Sequence, residues 1–182
     1  MRRDVMERSI VSSKGLVPSH RLANNGLDAF RIAQRRGYEG LVAKDLSAPY
    51  VEARSTKWLK VHQEDEFVIA GYTEPAGARQ HFGALLLGAY EKCALRYIGK
   101  VGTGFDRETL AALYRKFQPL VRAQPALSDP PREKGVVFLA PRLIAQISFQ
   151  EWTADRKLRQ PVYLGLRDDK RPEEVLLPEL RI

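Results

Sequence analysis

One segment of the chain pairs an acid with a base at a spacing that could serve phosphate chemistry. The segment EGLVAK places Glu39 and Lys44 five residues apart. On a strand this odd spacing points the two side chains to opposite faces. Both could reach one ligand only if the strand ends in a cleft. Taken alone, the pair is more typical of a solvated acid and a solvated base.

A second segment, WLKVH, carries two basic groups on one side of a predicted strand. Lys60 and His62 are two residues apart, so they share a face. Two cationic or proton-donating groups on one face could seat a phosphate. Strand faces with two basic residues are also commonplace, so the segment by itself indicates little.

A third segment, RDDK, follows the apolar run VYLGL and precedes a proline. Arg167 and Lys170 flank two acids, Asp168 and Asp169. The two cations could grip a polyphosphate, while an acid holds the arginine or a metal-bound water in place. The alternative is a tight surface turn without a ligand.

The elements that must position these segments are indicated by hydrophobic periodicity and turn residues. The pattern predicts a helix over 27–36 and short strands over 39–44 and 58–62. Three β-like runs, a helix and two strands follow, over 67–73, 83–90, 95–101, 107–121, 143–153 and 162–166. A proline-rich loop precedes the last two strands. This order is expected of a five-stranded Greek-key OB barrel, and order alone leaves another small barrel open.

Composition points to a polyanionic partner. The 182-residue chain has a net charge of +8 and a pI near 9.7. Residues 1–62 hold 12 Lys and Arg against 6 Asp and Glu, whereas residues 63–182 hold 18 against 16. The positive excess therefore lies in the first third. A basic surface that is merely solvated is the alternative.

Other features exclude several protein classes. No apolar run approaches the roughly 20 residues of a membrane span, and no apolar core follows the basic start, as a secretory signal requires. A single cysteine, Cys93, excludes an internal disulfide framework and a thiolate metal cluster. These features predict a cytoplasmic protein with no membrane partner.

The order and spacing of the three segments resemble motifs IV, V and VI of the covalent nucleotidyltransferases. The sequence is most similar to those of bacterial ATP-dependent DNA ligases of the ligase D, end-joining type. The likeness covers roughly residues 2 to 175. Its segments are GYEGLVAKDLSAPY, RSTKWLKVH, EFVIAGYTEPAGAR, FGALLLGAYE, YIGKVGTGFD, SFQEWTAD and LRQPVYLGLRDDK.

The resemblance implies roles for the residues of the first two segments. Glu39 would be the motif IV acid that helps to place Mg²⁺ or Mn²⁺ near the nucleotide phosphate, and Lys44 closes that motif. Lys60 would lie against the α-phosphate of the adenylate. His62 stands where the family has a second lysine, so phosphate contact there would be weaker or pH-dependent.

The resemblance also assigns motif VI. Arg167, Asp169 and Lys170 would close over ATP and orient pyrophosphate as it leaves. Such roles suit phosphoryl transfer, which depends mainly on positioning and charge neutralisation. A departure lies nearby, because Arg156 occupies a position where the family usually has glycine.

The resulting interpretation is an α+β chain from a bacterial ATP-dependent DNA ligase acting in DNA repair and end joining. Residues 1–62 would be the C-terminal remnant of the nucleotidyltransferase (adenylation) domain, and residues 63–182 a five-stranded OB-fold β-barrel domain. The expected partners are duplex DNA and an N-terminal adenylation segment.

The sequence contains no K-x-D-G, the motif whose lysine becomes adenylated. Covalent catalysis requires its nucleophile, so we expect no catalytic residue here and no ligation by the chain alone. Two alternatives remain: a non-catalytic OB-fold nucleic-acid binding module, and a member of the sister RNA ligase or capping guanylyltransferase families.

Overall fold

The structure is a computed structural model that describes residues 5, 8–10, 15, 21–36, 38, 40–49, 51–78 and 80–178. The described residues form two helices and seven strands. In chain order they are α1 (Gly26–Arg35), β1 (Gly40–Lys44), β2 (Trp58–Thr73), β3 (Leu85–Glu91), β4 (Ala94–Val101), α2 (Arg107–Phe117), β5 (Val121–Arg122), β6 (Val136–Phe149) and β7 (Val162–Arg167). Short 3₁₀ turns follow α2 and β7, at Gln118–Leu120 and Pro172–Glu174. The α+β class is confirmed.

The sheet is antiparallel and is built around two long strands. Its strands run in the order β4-β3-β2-β6-β5, with β1 added to β2 and β7 added to β6. In the described residues no strand ladder joins β4 to β7. Two backbone hydrogen bonds nevertheless link these edges: Leu158 N–H donates to Ile98 C=O (2.9 Å) and Tyr163 N–H to Thr103 C=O (3.0 Å). The sheet is therefore curled, and its edges meet without a continuous ladder.

The core fills the inside of this curled sheet. Its largest fully buried side chains include Phe67, Phe82, Phe117 and Ile147. Helix α2 covers it, and Asp106 caps the helix by accepting the Thr109 N–H (2.7 Å). The predicted order of three strands, a helix and two strands is confirmed by β2, β3, β4, α2, β6 and β7.

Helix α2 ends earlier than the predicted Val121. Pro119 has no N–H to continue the α-helical hydrogen bonds, and the chain tightens into the 3₁₀ turn Gln118–Leu120. The apolar spacing beyond Phe117 continues the helical pattern, although the backbone does not.

Strand β2 runs unbroken where two strands were expected. The acidic run Glu64–Glu66 lies between the predicted strands 58–62 and 67–73, and acidic residues are depleted in strands. In the structure these residues pair with Gln146, Ile147 and Ser148 of β6. The ladder hydrogen bonds outweigh the weak local preference.

Strand β6 begins at Val136 and not at the predicted Leu143. Pro141 falls inside this strand. The proline lies in an irregularity of the ladder, between Phe138, which pairs with Gly71, and Leu143, which pairs with Ile69. A residue without an N–H is tolerated in a strand at such an interruption.

The predicted division between residues 62 and 63 falls where β2 changes partners. His62 pairs with Gly40 of β1, and Gln63 is the first residue to pair with β6, opposite Phe149. The division into two domains stays a prediction. In the described part of the chain, no helix is long and apolar enough to cross a membrane.

Candidate nucleotide-contacting site

The hairpin of β1 and β2 gathers three of the predicted site residues on one face. Lys44 lies opposite Trp58, and its ammonium is 4.2 Å from the centroid of the indole ring. This is a cation–π contact that fixes the lysine on the sheet surface. Lys60 and His62 follow on alternate positions of β2, so all three basic side chains share the face of Trp58.

Gly40 allows β1 to approach β2 closely. A Cβ atom at this position would lie 2.1 Å from the carbonyl oxygen of Val61, far inside van der Waals contact. Only glycine therefore permits this backbone spacing. Glu39, the predicted metal-binding acid before it, lies outside the described residues.

The RDDK segment forms a compact ionic cluster at the end of β7. Arg167 donates from Nε and Nη2 to the two carboxylate oxygens of Asp169 (2.8 and 2.6 Å). Its Nη2 also lies 3.6 Å from Oε1 of Glu66 on β2, and Lys170 donates from Nζ to Oε2 of the same carboxylate. The Glu66 side chain is only 15% exposed. One acid thus binds both cations of the segment.

These contacts fix the charge states of the cluster. The hydrogen bond from Arg167 lowers the pKa of Asp169 to about 2. The hydrogen bond to Asp169 raises the pKa of Arg167, and that to Glu66 raises the pKa of Lys170. These contacts favour the charged forms of Asp169, Arg167 and Lys170, which therefore stay ionised at neutral pH.

Two members of this network were missed by sequence reasoning. Glu66 falls between the predicted strands 58–62 and 67–73, and Gln146 falls within the predicted strand 143–153 without a role. Gln146 accepts from Nη1 of Arg167 (3.3 Å) and donates to Glu64 (2.9 Å), so it joins β2 to β7. Lys170 and Glu66 are 104 residues apart in sequence. Local pattern carries no signal for such a pair, and only the register of β2, β6 and β7 brings it together.

The structure assembles two clusters and keeps them apart. Lys44, Lys60 and His62 form the first, and Arg167 and Lys170 belong to the second, which is anchored on Glu66. Glu66 lies six positions after Lys60 on β2, a rise of roughly 20 Å at about 3.3 Å per residue. Lys60 is therefore too far from the Glu66 anchor to contact the same phosphate group as Arg167 and Lys170 in this conformation.

No metal cluster is formed by the part of the chain that the structure describes: no three His, Cys, Asp or Glu side chains lie together there. The metal-binding prediction consequently depends on Glu39 alone.

Two open grooves have basic rims, and the smaller one shares His62 with the first cluster. The larger, about 1060 Å³, runs along α1 and is lined by Arg21, Arg31 and Arg35. The smaller, about 560 Å³, includes His62 and Lys100. Arginine and lysine side chains along a groove suit the phosphate backbone of a nucleic acid.

Residues 78–170 match the family described as the ATP dependent DNA ligase C terminal region. The chain belongs to this family. Among the ligases that resemble it is the multifunctional non-homologous end joining protein LigD of Pseudomonas aeruginosa, 42% identical over 162 residues. That alignment covers 85% of the chain and 19% of the relative. The LigD protein of Mycolicibacterium smegmatis is 34% identical over 182 residues, covering 96% of the chain and 24% of the relative.

Two solved ligase structures share the fold of this ligase C-terminal region. The ligase domain of LigD from M. tuberculosis superposes with a TM-score of 0.60 at 32% identity, covering 85% of the chain and 52% of that domain. A mycobacterial DNA ligase D complexed with ATP and MES gives 0.58 at 34% identity, covering 86% and 52%. The chain thus spans about half of these structures and a quarter or less of the curated relatives. The predicted likeness to ligase D and its OB-fold domain are confirmed, with an open sheet in place of a closed barrel.

Proposed function

We propose that the chain provides nucleotide- and DNA-contacting surfaces for an ATP-dependent DNA ligase that seals nicks during repair and end joining. The observation that carries this proposal is the ionic cluster of Arg167, Asp169 and Lys170, which lies at the end of the matched region 78–170. Both cations lie at the surface of the molecule, where a phosphate can reach them.

In this function the hairpin face contacts the adenylate. Lys60 neutralises the α-phosphate, while Lys44 and His62 extend the positive surface beside it. Glu39 helps to hold Mg²⁺ or Mn²⁺, which supplies additional charge at the phosphates when bound. Positive charge placed where negative charge develops is the main source of catalysis in phosphoryl transfer.

The RDDK cluster acts in the first step of the reaction, self-adenylation. Arg167 and Lys170 approach the triphosphate and orient the departing pyrophosphate, with Asp169 holding the guanidinium plane. Because Lys60 and Glu66 lie roughly 20 Å apart along β2, this step requires the end of β7 to move relative to the hairpin. Sealing of a nick that is already adenylated has no pyrophosphate, so it depends less on the cluster.

The adenylated lysine must come from an adenylation segment that carries K-x-D-G. Exposed apolar side chains on the Lys60 face of the hairpin suit such a partner: Val42 is 52% exposed and Trp58 45%. Apolar groups that are grouped at a surface commonly mark a contact with another protein surface. The chain alone, incubated with labelled ATP and Mg²⁺ or Mn²⁺, is expected to form no covalent adenylate.

The proposal is tested in a chimera in which this chain replaces the matching region of the P. aeruginosa LigD ligase domain. We expect the chimera to adenylate itself and to seal nicked duplex DNA. Arg167→Ala and Lys170→Ala should each lower self-adenylation at least tenfold, a loss of about 1.4 kcal/mol of transition-state stabilisation. Both should affect sealing of a pre-adenylated nick much less. Arg171→Ala is the matched control, because Arg171 pairs with Glu174 outside the cluster.

Other outcomes have separate meanings. Equal losses in both steps would assign the cluster to DNA binding or to folding. A folded chimera that binds nicked DNA but neither adenylates itself nor seals would favour the second candidate, a non-catalytic OB-fold nucleic-acid binding module. The basic groove along α1 is the observation that supports this second candidate.

A further inference from the structure

Glu66 occupies an unusual position in the ionic cluster. It sits on β2, a strand distant in sequence from the RDDK segment, and its carboxylate contacts both Arg167 and Lys170. Its side chain is 15% exposed, whereas those of its two partners are 35% and 45% exposed. The anion is thus the more enclosed member of the network, and the two cations approach it from the solvent side.

This arrangement makes Glu66 a competitor for any anion that binds the two cations. A partly buried carboxylate that loses its cationic partners costs more free energy than a solvated one. A ligand must therefore offer several oxygens to Arg167 and Lys170 together to replace it. A polyphosphate can do this, whereas chloride or a single carboxylate cannot.

We propose that Glu66 is a positioning residue for Arg167 and Lys170, holding both across β6, which lies between β2 and β7, until a polyphosphate displaces it. The inference rests on the proposed function, since it assumes that the two cations meet the phosphates of ATP. It adds a specificity-determining acid to the cluster: Glu66 discriminates against anions of low charge and releases the cations only to a multiply charged one.

Glu64 is a matched control on the same face of the same strand. Its carboxylate accepts from Gln146 Nε2 (2.9 Å) and lies two residues from Glu66. Replacing either glutamate by glutamine removes one negative charge with little change of shape. Only replacement of Glu66 removes the acid that pairs with Arg167 and Lys170.

The test is calorimetric titration of the full chain with inorganic tripolyphosphate at low salt. Glu66→Gln should bind the probe about tenfold more tightly than the unchanged chain, and Glu64→Gln less than twofold more tightly. The gain should vanish when Arg167→Ala and Lys170→Ala are added to Glu66→Gln. A gain of equal size in Glu64→Gln, or none in Glu66→Gln, overturns the inference.

A measurement on the unchanged chain covers the case in which Glu66→Gln does not fold. Tripolyphosphate should shift the ¹³C carboxyl resonance of Glu66 as its cations leave, while that of Glu64 stays in place. A Glu66 resonance that does not move while the probe binds overturns the inference. The proposed function fails separately, if Arg167→Ala and Lys170→Ala leave self-adenylation of the chimera intact.

Discussion

Arg156 has a left-handed backbone conformation in the turn between β6 and β7. Its φ is 56°, and its N–H donates to the carbonyl of Thr153. A non-glycine residue in this conformation destabilises the fold by about 1 kcal/mol. This cost agrees with the glycine that is usual at this position in ligase D sequences. The side chain compensates, since Nη1 lies 2.7 Å from Oε1 of Glu91. Both side chains are nearly half exposed, so the ion pair contributes less than about 1 kcal/mol.

Two substitutions separate the backbone cost at Arg156 from the ion pair. Arg156→Ala loses the pair and keeps the strained backbone, whereas Arg156→Gly loses both. We expect the glycine variant to be more stable than the alanine variant by about 1 kcal/mol in urea unfolding. Glu91→Gln should destabilise the unchanged chain slightly more than either variant, because in the variants it removes only the 3.8 Å contact of Glu91 with Arg96. An alanine variant as stable as the glycine variant would mean that the turn relaxes without cost.

Asp169 should titrate unusually low. Its folded pKa is about 2, against an ordinary 3.8, because Arg167 hydrogen-bonds its charged form. A depressed carboxyl pKa stabilises the fold above the unfolded value, and this contribution is lost as pH falls from about 3.8 to about 2. A ¹³C carboxyl titration should give a midpoint near 2, which moves towards 3.8 in Arg167→Ala. A midpoint near 3.8 in the unchanged chain would contradict the paired geometry.

At the scale of single residues, the sequence predicted groups whose positions follow from local rules. Strand periodicity placed Lys60 and His62 on one face, and the structure confirms it. The spacing of Arg167 and Lys170 predicts that they bind an anion together, but no local rule predicts that Glu66 pairs with them. Its role depends on strand register across 104 residues.

The contact between the edge strands β4 and β7 depends on Gly104, which lies in the connection from β4 to α2. Gly104 has a φ of 91°, and a Cβ atom there would lie 2.2 Å from the carbonyl oxygen of Tyr163. Next to it, Thr103 accepts the Tyr163 N–H, and the Phe105 ring stacks on Tyr163 with centroids 4.6 Å apart. Close backbone approach and aromatic stacking together hold the sheet edges where the ladder is absent.

Gly104→Ala should therefore destabilise the fold strongly. The added methyl meets backbone and cannot be accommodated by a side-chain movement, so we expect a loss of at least about 2 kcal/mol. That corresponds to a melting temperature lower by roughly 4–8 °C for a chain of this size. Gly165→Ala in β7 is the control, because no atom lies within 4 Å of its added Cβ, and its melting temperature should change little. Equal decreases of the melting temperature in the two variants would contradict a close contact between β4 and β7.

At the scale of elements, the sequence predicted which strands and helices exist better than where they end. Periodicity located α1, α2 and the five OB strands, because one face of each is apolar. The errors arose where tertiary pairing outweighs local preference. The acids of β2 are held by β6, and Pro141 is tolerated at an interruption of the ladder. Neither compensation is visible from neighbouring residues alone.

The charge of the whole molecule is distributed unevenly, and this bears on the proposed DNA partner. The net charge of residues 1–62 is +6, and that of residues 63–182 is +2. Part of the excess lines the groove along α1, through Arg21, Arg31 and Arg35. An electrostatic contact of this kind has no base specificity, and its affinity arises largely from counterion release.

The chain should therefore bind nicked duplex DNA weakly and with steep salt dependence. Each phosphate contact adds about −0.9 to the slope of log affinity against log salt. Fluorescence anisotropy should show that the double variant Arg31→Ala and Arg35→Ala reduces this slope by one to two units. The control pair Arg115→Ala and Lys116→Ala on α2 removes the same charge and should leave the slope nearly unchanged. Salt-independent affinity would exclude the groove as the contact.

The unbroken β2 has a mechanical consequence. It passes from β1 to β6 between His62 and Gln63 with no unpaired residue between them. The strand is therefore hydrogen-bonded to a neighbouring strand on both sides of this point, and no unpaired residue there can act as a free hinge. Any rotation that carries Arg167 towards Lys60 must twist β2 or break backbone hydrogen bonds that join it to β1 or β6. Such a rotation costs elastic free energy, and the binding free energy of the nucleotide must supply it.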